Sequence, residues 1–324
     1  MINEGAAGRR KVRGRRVLSA AGLWRPCCQR LPPLIRPSSL PDVADLEDVG
    51  DVADDEVLRG GLVNHGQVSR RGDAVRRPAR PHARLLHRYL NALADQGFDG
   101  APRPLSLTGD GYEELTYVPG DVPISPFPDW ALSDETLASV GRLLRRTHDA
   151  AARVPASYLV AANDDAGSGS GPGVGWPTEF ADPEGGPILC HNDVCPENTV
   201  FRDGRAVALI DFDFAAPGRP IWDLAFCAWY WVPTLPPQAA AAEGQPGLNV
   251  AARLRILADA YGLDEAGRRE LVDVLPVLLE TSRRFVDGRV AAGDPVFTRI
   301  DAERDPERWD KTRAWLAANR DVFS

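Results

Sequence analysis

The segment 188–213 constrains the fold of this chain more than any other part of the sequence. It contains two short apolar stretches, each followed directly by polar side chains that can ligate or accept a proton. Asp193 and Asn198 follow the first stretch, and Asp211 and Asp213 follow the second. Strand ends of this kind hold polar groups rigidly at the mouth of an apolar core. The segment therefore predicts a site built from oxygen-bearing side chains.

The spacing of these residues brings three of them together. Asp193 and Asn198 lie five positions apart, so they can occupy the two ends of one loop. A predicted hairpin over residues 199–210 returns the chain, so that Asp211 can face Asn198. A carboxylate and an amide oxygen are hard donors that suit a phosphate-bound Mg²⁺. Asp193 would then orient an acceptor hydroxyl and accept its proton.

Three blocks of this region resemble the aminoglycoside phosphotransferase family, a branch of the protein-kinase-like fold. The catalytic-loop form H-x-D-x-x-x-x-N matches residues 191–198, and the strand end I-D-[FW] matches residues 210–212. The pattern G-x-P-x-x-D-L-A matches residues 218–225. The resemblance covers residues 45–324 and implies an α+β, bilobal, protein-kinase-like fold. A small antiparallel-sheet N-lobe would precede a larger, mainly helical C-lobe.

The resemblance implies a role for each polar residue of the first two blocks. Asp193 is the expected catalytic base, and Asn198 and Asp211 are the expected Mg²⁺ ligands. Asp213 is a further candidate, for a second metal or for the substrate. ATP and Mg²⁺ are accordingly the implied cofactors, and a small molecule is the implied acceptor.

Two further residues of these blocks are expected to support the loop. Asp223 falls at a predicted helix start, where it can accept backbone N–H bonds from the catalytic loop and hold its shape. His191 is expected to pack the loop and not to carry protons.

The N-lobe is predicted from alternating strands and one helical stretch. Gly61, with Gly60 and Gly66, falls where a Gly-rich phosphate loop would lie. Adenine is expected on the backbone of the connector from Thr116 to Val118. The predicted strands are 57–62, 63–70, 74–77, 103–108 and 112–117, and the predicted helix is 83–96.

The resembled family normally carries a lysine on the third strand that contacts the nucleotide phosphates. No lysine lies between positions 11 and 311 of this chain. Arg76 is the first candidate to replace it and Arg77 the second, because both lie on that strand and arginine binds phosphate well. The helix 83–96 contains no glutamate, so the usual ion pair between strand lysine and helix glutamate cannot form in its standard version.

The C-lobe is predicted to be mostly helical, with the site segment inserted as a strand and a hairpin. Ser133 is the expected N-cap of the first long helix. The predicted strands are 188–191, 199–202 and 206–210, and the predicted helices are 133–152, 222–231, 250–261, 264–287 and 307–319.

Charge and composition divide the chain and exclude several partners. Residues 1–40 carry a net charge of +8, whereas the remainder carries −16. We expect a disordered basic tail over 1–44, a nucleotide-binding N-lobe over 45–118 and a catalytic, substrate-binding C-lobe over 119–324. An acidic body repels nucleic acid, and no apolar run is long enough to span a membrane. Five cysteines without regular spacing favour a reducing cytoplasm.

Three functions from different classes follow from these features. The first is an ATP-dependent phosphotransferase acting on a hydroxyl of an aminoglycoside, an amino alcohol or a sugar. The second is a catalytically weak binding or toxin-immunity protein, because the passages 75–78 and 97–102 resemble the trifolitoxin-immunity-like branch of the family. The third, ranked last, is a metallohydrolase, which would need more histidine ligands than the sequence offers. The sequence does not indicate the oligomeric state.

Overall fold

The structure is a computed structural model, and it describes residues 56–58, 67–159 and 175–323. The basic tail predicted over 1–44 lies outside these residues. So do Gly60, Gly61 and Gly66, so that the predicted phosphate loop stays a prediction.

The N-lobe is a five-stranded antiparallel sheet with one helix against it. Its strands lie in the order β1-β2-β3-β5-β4. The third strand ends one residue later than predicted, and the last two are one or two residues shorter than predicted. The predicted strand residues 59–66 lie outside the described part, so the bounds of the first two strands stay predictions. The elements are β1 Glu56–Val57, β2 Ser69–Arg71, β3 Ala74–Pro78, α1 Ala83–Asp95, β4 Pro104–Leu107 and β5 Tyr112–Thr116.

Helix α1 joins the sheet to the second lobe. Its buried side chains include Leu86, Tyr89, Leu90 and Leu93, which share one face because helical neighbours lie three and four residues apart. The hydroxyl of Tyr89 donates to the backbone carbonyl of Leu189 at 3.2 Å. This contact crosses from the N-lobe helix to the strand that leads into the catalytic loop.

The C-lobe surrounds two small two-stranded sheets with helices. Ser133 is the N-cap predicted for α2, since its Oγ accepts from the amide of Thr136. Strand β6 pairs with β9, and β7 pairs with β8. The elements are α2 Asp134–Ala151, β6 Ile188–Cys190, β7 Thr199–Arg202, β8 Arg205–Leu209, β9 Ala216–Gly218, α3 Pro220–Trp231, α4 Pro237–Ala242, α5 Val250–Tyr261, α6 Glu265–Ala291, α7 Pro295–Ala302 and α8 Arg308–Phe323.

Helix α3 forms the centre of the C-lobe core. Every residue from Ile221 to Trp231 is buried, and the helix starts two residues before the predicted bound because Pro220 suits its first turn. The indole of Trp222 donates to the carbonyl of Phe180, and that of Trp231 donates to the carbonyl of Val194, both at 3.0 Å. The core helix therefore anchors the residue that follows Asp193. Within the described residues, no helix has the length and apolar character needed to cross a membrane.

The connector after β5 is fastened to the catalytic hairpin. The backbone of Asp121 pairs with that of Phe201 in both directions at 2.8 Å. Gly120 precedes this pair with φ +151°, and a Cβ built there would lie 2.4 Å from the carbonyl oxygen of Phe201. Only glycine fits such a position without displacing β7.

We expect Gly120→Ala to lower the free energy of unfolding by about 2–4 kcal/mol, from backbone strain and overpacking together. Gly111→Ala is the matched control, because Gly111 also has positive φ (+85°), but a Cβ added there would meet no atom within 4 Å. That variant should cost about 1 kcal/mol, from strain alone. Urea unfolding of both variants measures the difference, and equal costs would contradict the close approach at Phe201.

Candidate active site

The catalytic-loop residues Asp193 and Asn198 are in direct contact. The side-chain nitrogen Nδ2 of Asn198 donates to the backbone carbonyl of Asp193 at 3.0 Å and to the carboxylate Oδ2 of Asp193 at 2.9 Å. A short 3-10 turn at Pro196–Asn198 folds the loop back on itself, which makes these bonds possible. The bonded nitrogen fixes the orientation of the Asn198 amide, so its oxygen is the atom that could ligate a cation.

The hairpin of β7 and β8 returns the chain to the same place. The backbone amide of Ile210 donates to the carbonyl of Asn198 at 2.9 Å, which places the next residue, Asp211, beside the end of the catalytic loop. Asp211 has φ +62°, which is uncommon for a residue with a side chain and is seen most often for Asn and Asp among such residues. The structure therefore brings together the three residues that the sequence places at one site.

The side chain of Asp223 is bonded to the backbone of the catalytic loop, the contact that the sequence analysis expects of this residue. Its two carboxylate oxygens accept from the amides of His191 and Asn192, each at 2.8 Å. Nε2 of His148 lies 2.9 Å from the same carboxylate. Burial alone would raise the pKa of Asp223, but the hydrogen bond and charge of His148, together with contributions from His191, hold that pKa below its usual value.

His191 is a packing residue within the loop. Its Nε2 lies 3.0 Å from the carbonyl of Ile210, and its Nδ1 accepts from the amide of Asp193 at 3.2 Å. Burial lowers the pKa of His191, which favours the neutral ring with the proton on Nε2. The ring also packs against Phe212 at 4.4 Å between centroids. The neutral imidazole thus ties the catalytic loop to the strand end that carries Asp211.

Arg77 reaches the site from the N-lobe. One terminal nitrogen of its guanidinium lies 3.0 Å from Oδ1 of Asp211, and the other lies 2.7 Å from Oδ1 of Asp213. The side chain is buried, and Nε of Arg80 adds a second contact to Asp213 at 2.5 Å. Arg77 on β3 therefore contacts both carboxylates of the C-lobe strand end, and Arg80, two residues beyond β3, contacts one of them.

Arg76 points to the other face of the sheet. Its guanidinium contacts Asp110 at 2.5 Å and stacks over the ring of Tyr112 at 3.7 Å. Successive side chains of a strand alternate between faces, so neighbouring residues cannot both enter one site. The geometry favours Arg77, the second sequence candidate, over Arg76 as the residue that takes the place of the strand lysine.

Sequence reasoning missed two residues that hold Arg77. Nε of Arg77 lies 3.0 Å from Oε1 of Glu113 on β5, and Nε2 of His87 on α1 lies 2.7 Å from the other carboxylate oxygen. The signal for Glu113 was a glutamate opposite Arg77 in the pairing of β3 with β5. Reading it requires the strand register, which the sequence alone leaves open.

The two carboxylates of the strand end have opposite pKa shifts. Burial and the negative charge of Asp213 raise the pKa of Asp211 to about 6. Burial would also raise the pKa of Asp213, but the guanidinium groups of Arg77 and Arg80 hold it below its usual value. Asp211 is the less stabilised anion of the pair, and its side chain is 35% exposed. A divalent cation in contact with it would favour the ionised carboxylate.

The donor set fits a magnesium ion that is shared with phosphate. Asp211 and Asn198 offer hard oxygen atoms, and Mg²⁺ in nucleotide sites commonly takes one or two protein ligands together with phosphate and water oxygens. Within the described residues, no group of three or more His, Cys, Asp or Glu side chains is arranged to hold a metal on its own.

The backbone groups of the connector after β5 differ in their hydrogen bonding. The amide of Thr116 donates to the carbonyl of Arg103, and the amide of Tyr117 donates to that of Asp73. For Val118, no backbone–backbone bond is found within the described residues. Among the predicted adenine contacts, the Thr116 amide is therefore already bonded within the sheet, whereas the backbone of Val118 is in no such bond within the described residues.

Comparisons with known proteins show the family to which this chain belongs. The model of the phosphotransferase enzyme family matches residues 174–257. The trifolitoxin immunity protein of Rhizobium leguminosarum bv. trifolii is 32% identical over 228 residues, which are 68% of this chain and 79% of that protein. The chain belongs to the aminoglycoside phosphotransferase family, on the branch that includes this immunity protein.

Solved structures support the fold at low sequence identity. The GDP and kanamycin complex of APH(2")-IIia is similar with a TM-score of 0.51, at 14% identity, over 82% of this chain and 94% of that chain. A GDP complex of a mutant aminoglycoside 2'-phosphotransferase-IIIa gives the same TM-score, at 13% identity, over 83% and 94%. The expected protein-kinase-like α+β fold is confirmed.

Proposed function

We propose that this protein transfers the γ-phosphoryl group of ATP to a hydroxyl group of a small molecule. The proposal rests on the contact between Asp193 and Asn198. The hydrogen bond from the backbone amide of Ile210 to the carbonyl of Asn198 places Asp211 beside this pair. A proton acceptor and two cation ligands then lie within one rigid unit. Positioning and charge stabilisation are what phosphoryl transfer requires of a protein.

Asp193 is the base in this proposal. Its Oδ2 is held by the Asn198 amide, which fixes the direction from which an acceptor hydroxyl approaches. As the acceptor oxygen forms its bond to the γ-phosphorus, its proton passes to Asp193. The bond from the γ-phosphorus to the β–γ bridging oxygen breaks, and ADP leaves with that electron pair.

Asn198 and Asp211 would hold the Mg²⁺ ion, and Arg77 would bind the phosphates. When bound, the ion offsets the negative charge of the phosphates. Arg77 offers two terminal nitrogens that now contact Asp211 and Asp213, and a guanidinium binds phosphate in the same bidentate way. Val118 would bind the base through its backbone.

A titration of nucleotide into the protein tests the proposal. We expect ATP to bind only in the presence of Mg²⁺. Asp211→Asn should weaken this binding about tenfold or more, since a cation ligand is lost. Asp203→Asn is the matched control, because Asp203 also has positive φ (+50°) but lies at the exposed hairpin tip. Mg·GTP is titrated in parallel, because the similar solved structures contain GDP.

An acceptor panel follows the titration. Kanamycin, an amino alcohol and a sugar represent the three acceptor classes, and ADP formation above the rate without acceptor identifies the substrate class. A folded wild-type protein that binds no nucleotide would contradict the proposal.

Two observations favour a second function, a binding or toxin-immunity protein. The relative at 32% identity is an immunity protein, and the strand lysine and helix glutamate of the family are both missing from the chain. In this case the protein would sequester a toxin without turnover. Binding of trifolitoxin with no ADP formation in any acceptor assay would favour this function over phosphotransfer.

A reducing cytoplasm fits the cysteines of the C-lobe. Cys190, Cys195 and Cys227 are buried and present as thiols. Burial raises the pKa of the Cys190 and Cys227 thiols, so these groups stay protonated and unreactive. We therefore propose a cytoplasmic protein with a small-molecule substrate.

A further inference from the structure

Glu113 is fully buried, and both of its carboxylate oxygens are engaged. Oε1 lies 3.0 Å from Nε of Arg77, and Oε2 lies 2.7 Å from Nε2 of His87. Glu113 stands directly opposite Arg77 in the pairing of β3 with β5. A carboxylate held between a strand and a helix in this way has little freedom to move.

The guanidinium of Arg77 contacts carboxylates on two sides. Its Nε faces Glu113, whereas its two terminal nitrogens face Asp211 and Asp213. Because the group is planar and its donors have a fixed geometry, anchoring Nε sets the direction of the two terminal nitrogens. Phosphate oxygens would compete with Asp211 and Asp213 for these terminal nitrogens, but not with Glu113. The contact to Glu113 can therefore persist when nucleotide is bound.

We propose that Glu113, held by His87, is the residue that positions Arg77 for the nucleotide phosphates, an inference that rests on the proposed phosphotransferase function. In the resembled family the strand cation is paired with a glutamate on the helix. Here the helix has no glutamate, and the carboxylate comes from the neighbouring strand instead. Helix α1 still takes part, since His87 contacts the far side of that carboxylate.

If Glu113 positions Arg77, replacing it should change the affinity for a different set of ligands than if Glu113 only stabilises the fold. Glu113 lies five residues before Val118, where the base would bind, and its side chain contacts Arg77, which would bind the phosphates. Loss of Glu113 should therefore weaken Mg·ATP and leave adenosine, which has no phosphate, unaffected. A merely structural loss would weaken both ligands together.

The first experiment compares Glu113→Gln with Glu114→Gln by titration of Mg·ATP and of adenosine. Glu114 stands opposite Arg76 in the same pair of strands and on the other face of the sheet, so it is a matched control. We expect Glu113→Gln to weaken Mg·ATP about tenfold and to change adenosine by less than about twofold. Glu114→Gln should leave both affinities within about twofold of wild type.

A second variant guards against misfolding. Glu113→Asp keeps the buried negative charge but withdraws it from Arg77, and it should weaken Mg·ATP in the same direction. In the background of Arg77→Gln, the change Glu113→Gln should have no further effect on Mg·ATP, because Glu113 acts through Arg77. Thermal unfolding of each variant establishes that it is folded.

The outcomes separate this inference from the function on which it rests. If wild type binds no Mg·ATP, the proposed function fails, and the role of Glu113 fails with it. If wild type binds Mg·ATP, and folded Glu113→Gln or Glu113→Asp binds it equally well, only the role of Glu113 is overturned. An equal loss for adenosine and Mg·ATP would also overturn it. Selective loss for Mg·ATP establishes it.

Discussion

Asp193→Asn is expected to lower the rate of phosphoryl transfer by about 10²–10⁴-fold while leaving the affinity for Mg·ATP within about twofold. The substituted amide has nearly the same shape as the carboxylate, and its oxygen can still accept the hydrogen bond that Asn198 donates to Oδ2. What the variant loses is the ability to take the proton of the acceptor hydroxyl. The loss should therefore fall on kcat and not on nucleotide binding.

The measurement is a steady-state assay with the best acceptor from the panel, together with titration of Mg·ATP. Asp203→Asn, at the exposed tip of the hairpin, is the control for the substitution itself, and it should leave both quantities unchanged. Full activity in Asp193→Asn would contradict the base role. A parallel loss of nucleotide affinity would instead mean that Asp193 acts by shaping the loop around Asn198.

The catalytic loop was predictable because its geometry is local. Asp193 and Asn198 lie five residues apart, and the hairpin between Asn198 and Asp211 is twelve residues long. Short-range turns and strand alternation determine such a unit, so its spacing can be read from the sequence. The role of each of these residues stays a prediction, since geometry places them without testing their chemistry.

The N-lobe side of the site was harder to predict because it depends on strand register. Arg76 and Arg77 are neighbours, and a shift of one residue moves a side chain to the other face of the sheet. The sequence indicates an arginine on β3 but leaves open which of the two enters the site. Glu113 could be placed opposite Arg77 only after β5 was known to pair with β3 at that register.

Several short elements of the C-lobe were missed because their signals span few residues. Helix α7 has eight residues, with Asp294 as its N-cap and Pro295 in its first turn. Helix α4 has six residues, and strand β9 has three. Elements this short rely on tertiary packing, so their sequence patterns carry little information. The longer helices were found, and α5 begins and ends where it was predicted.

Asp223→Ala is expected to lower the free energy of unfolding by about 3–5 kcal/mol, the largest stability effect at the site. The carboxylate accepts from two backbone amides of the catalytic loop and contacts His148, all in a fully buried place. Removing it leaves these donors buried without their acceptor. Urea unfolding at pH 7 measures the cost, with Asp149→Ala as the control.

The control isolates the effect of burial. Asp149 also contacts a basic side chain, Arg145, at 2.8 Å, but both side chains are about half exposed. An exposed pair on a helix contributes about 0.3–0.5 kcal/mol, so Asp149→Ala should change little. A cost below about 1 kcal/mol for Asp223→Ala would mean that the loop keeps its shape without this carboxylate.

The difference in free energy of unfolding between wild type and Asp223→Ala should depend on pH, because the pKa of Asp223 is lowered in the folded protein. A carboxylate whose pKa is lower in the folded than in the unfolded protein stabilises the fold above its unfolded pKa, which is about 3.9. That stabilisation is lost as the pH falls through the lower, folded pKa. The gap between wild type and Asp223→Ala should therefore persist from pH 7 to about pH 4 and narrow below it. A gap that instead widened as the pH fell from 7 to about 4 would mean that the pKa of Asp223 is raised in the folded protein, so that the loop is held by a protonated carboxyl group and not by the anion.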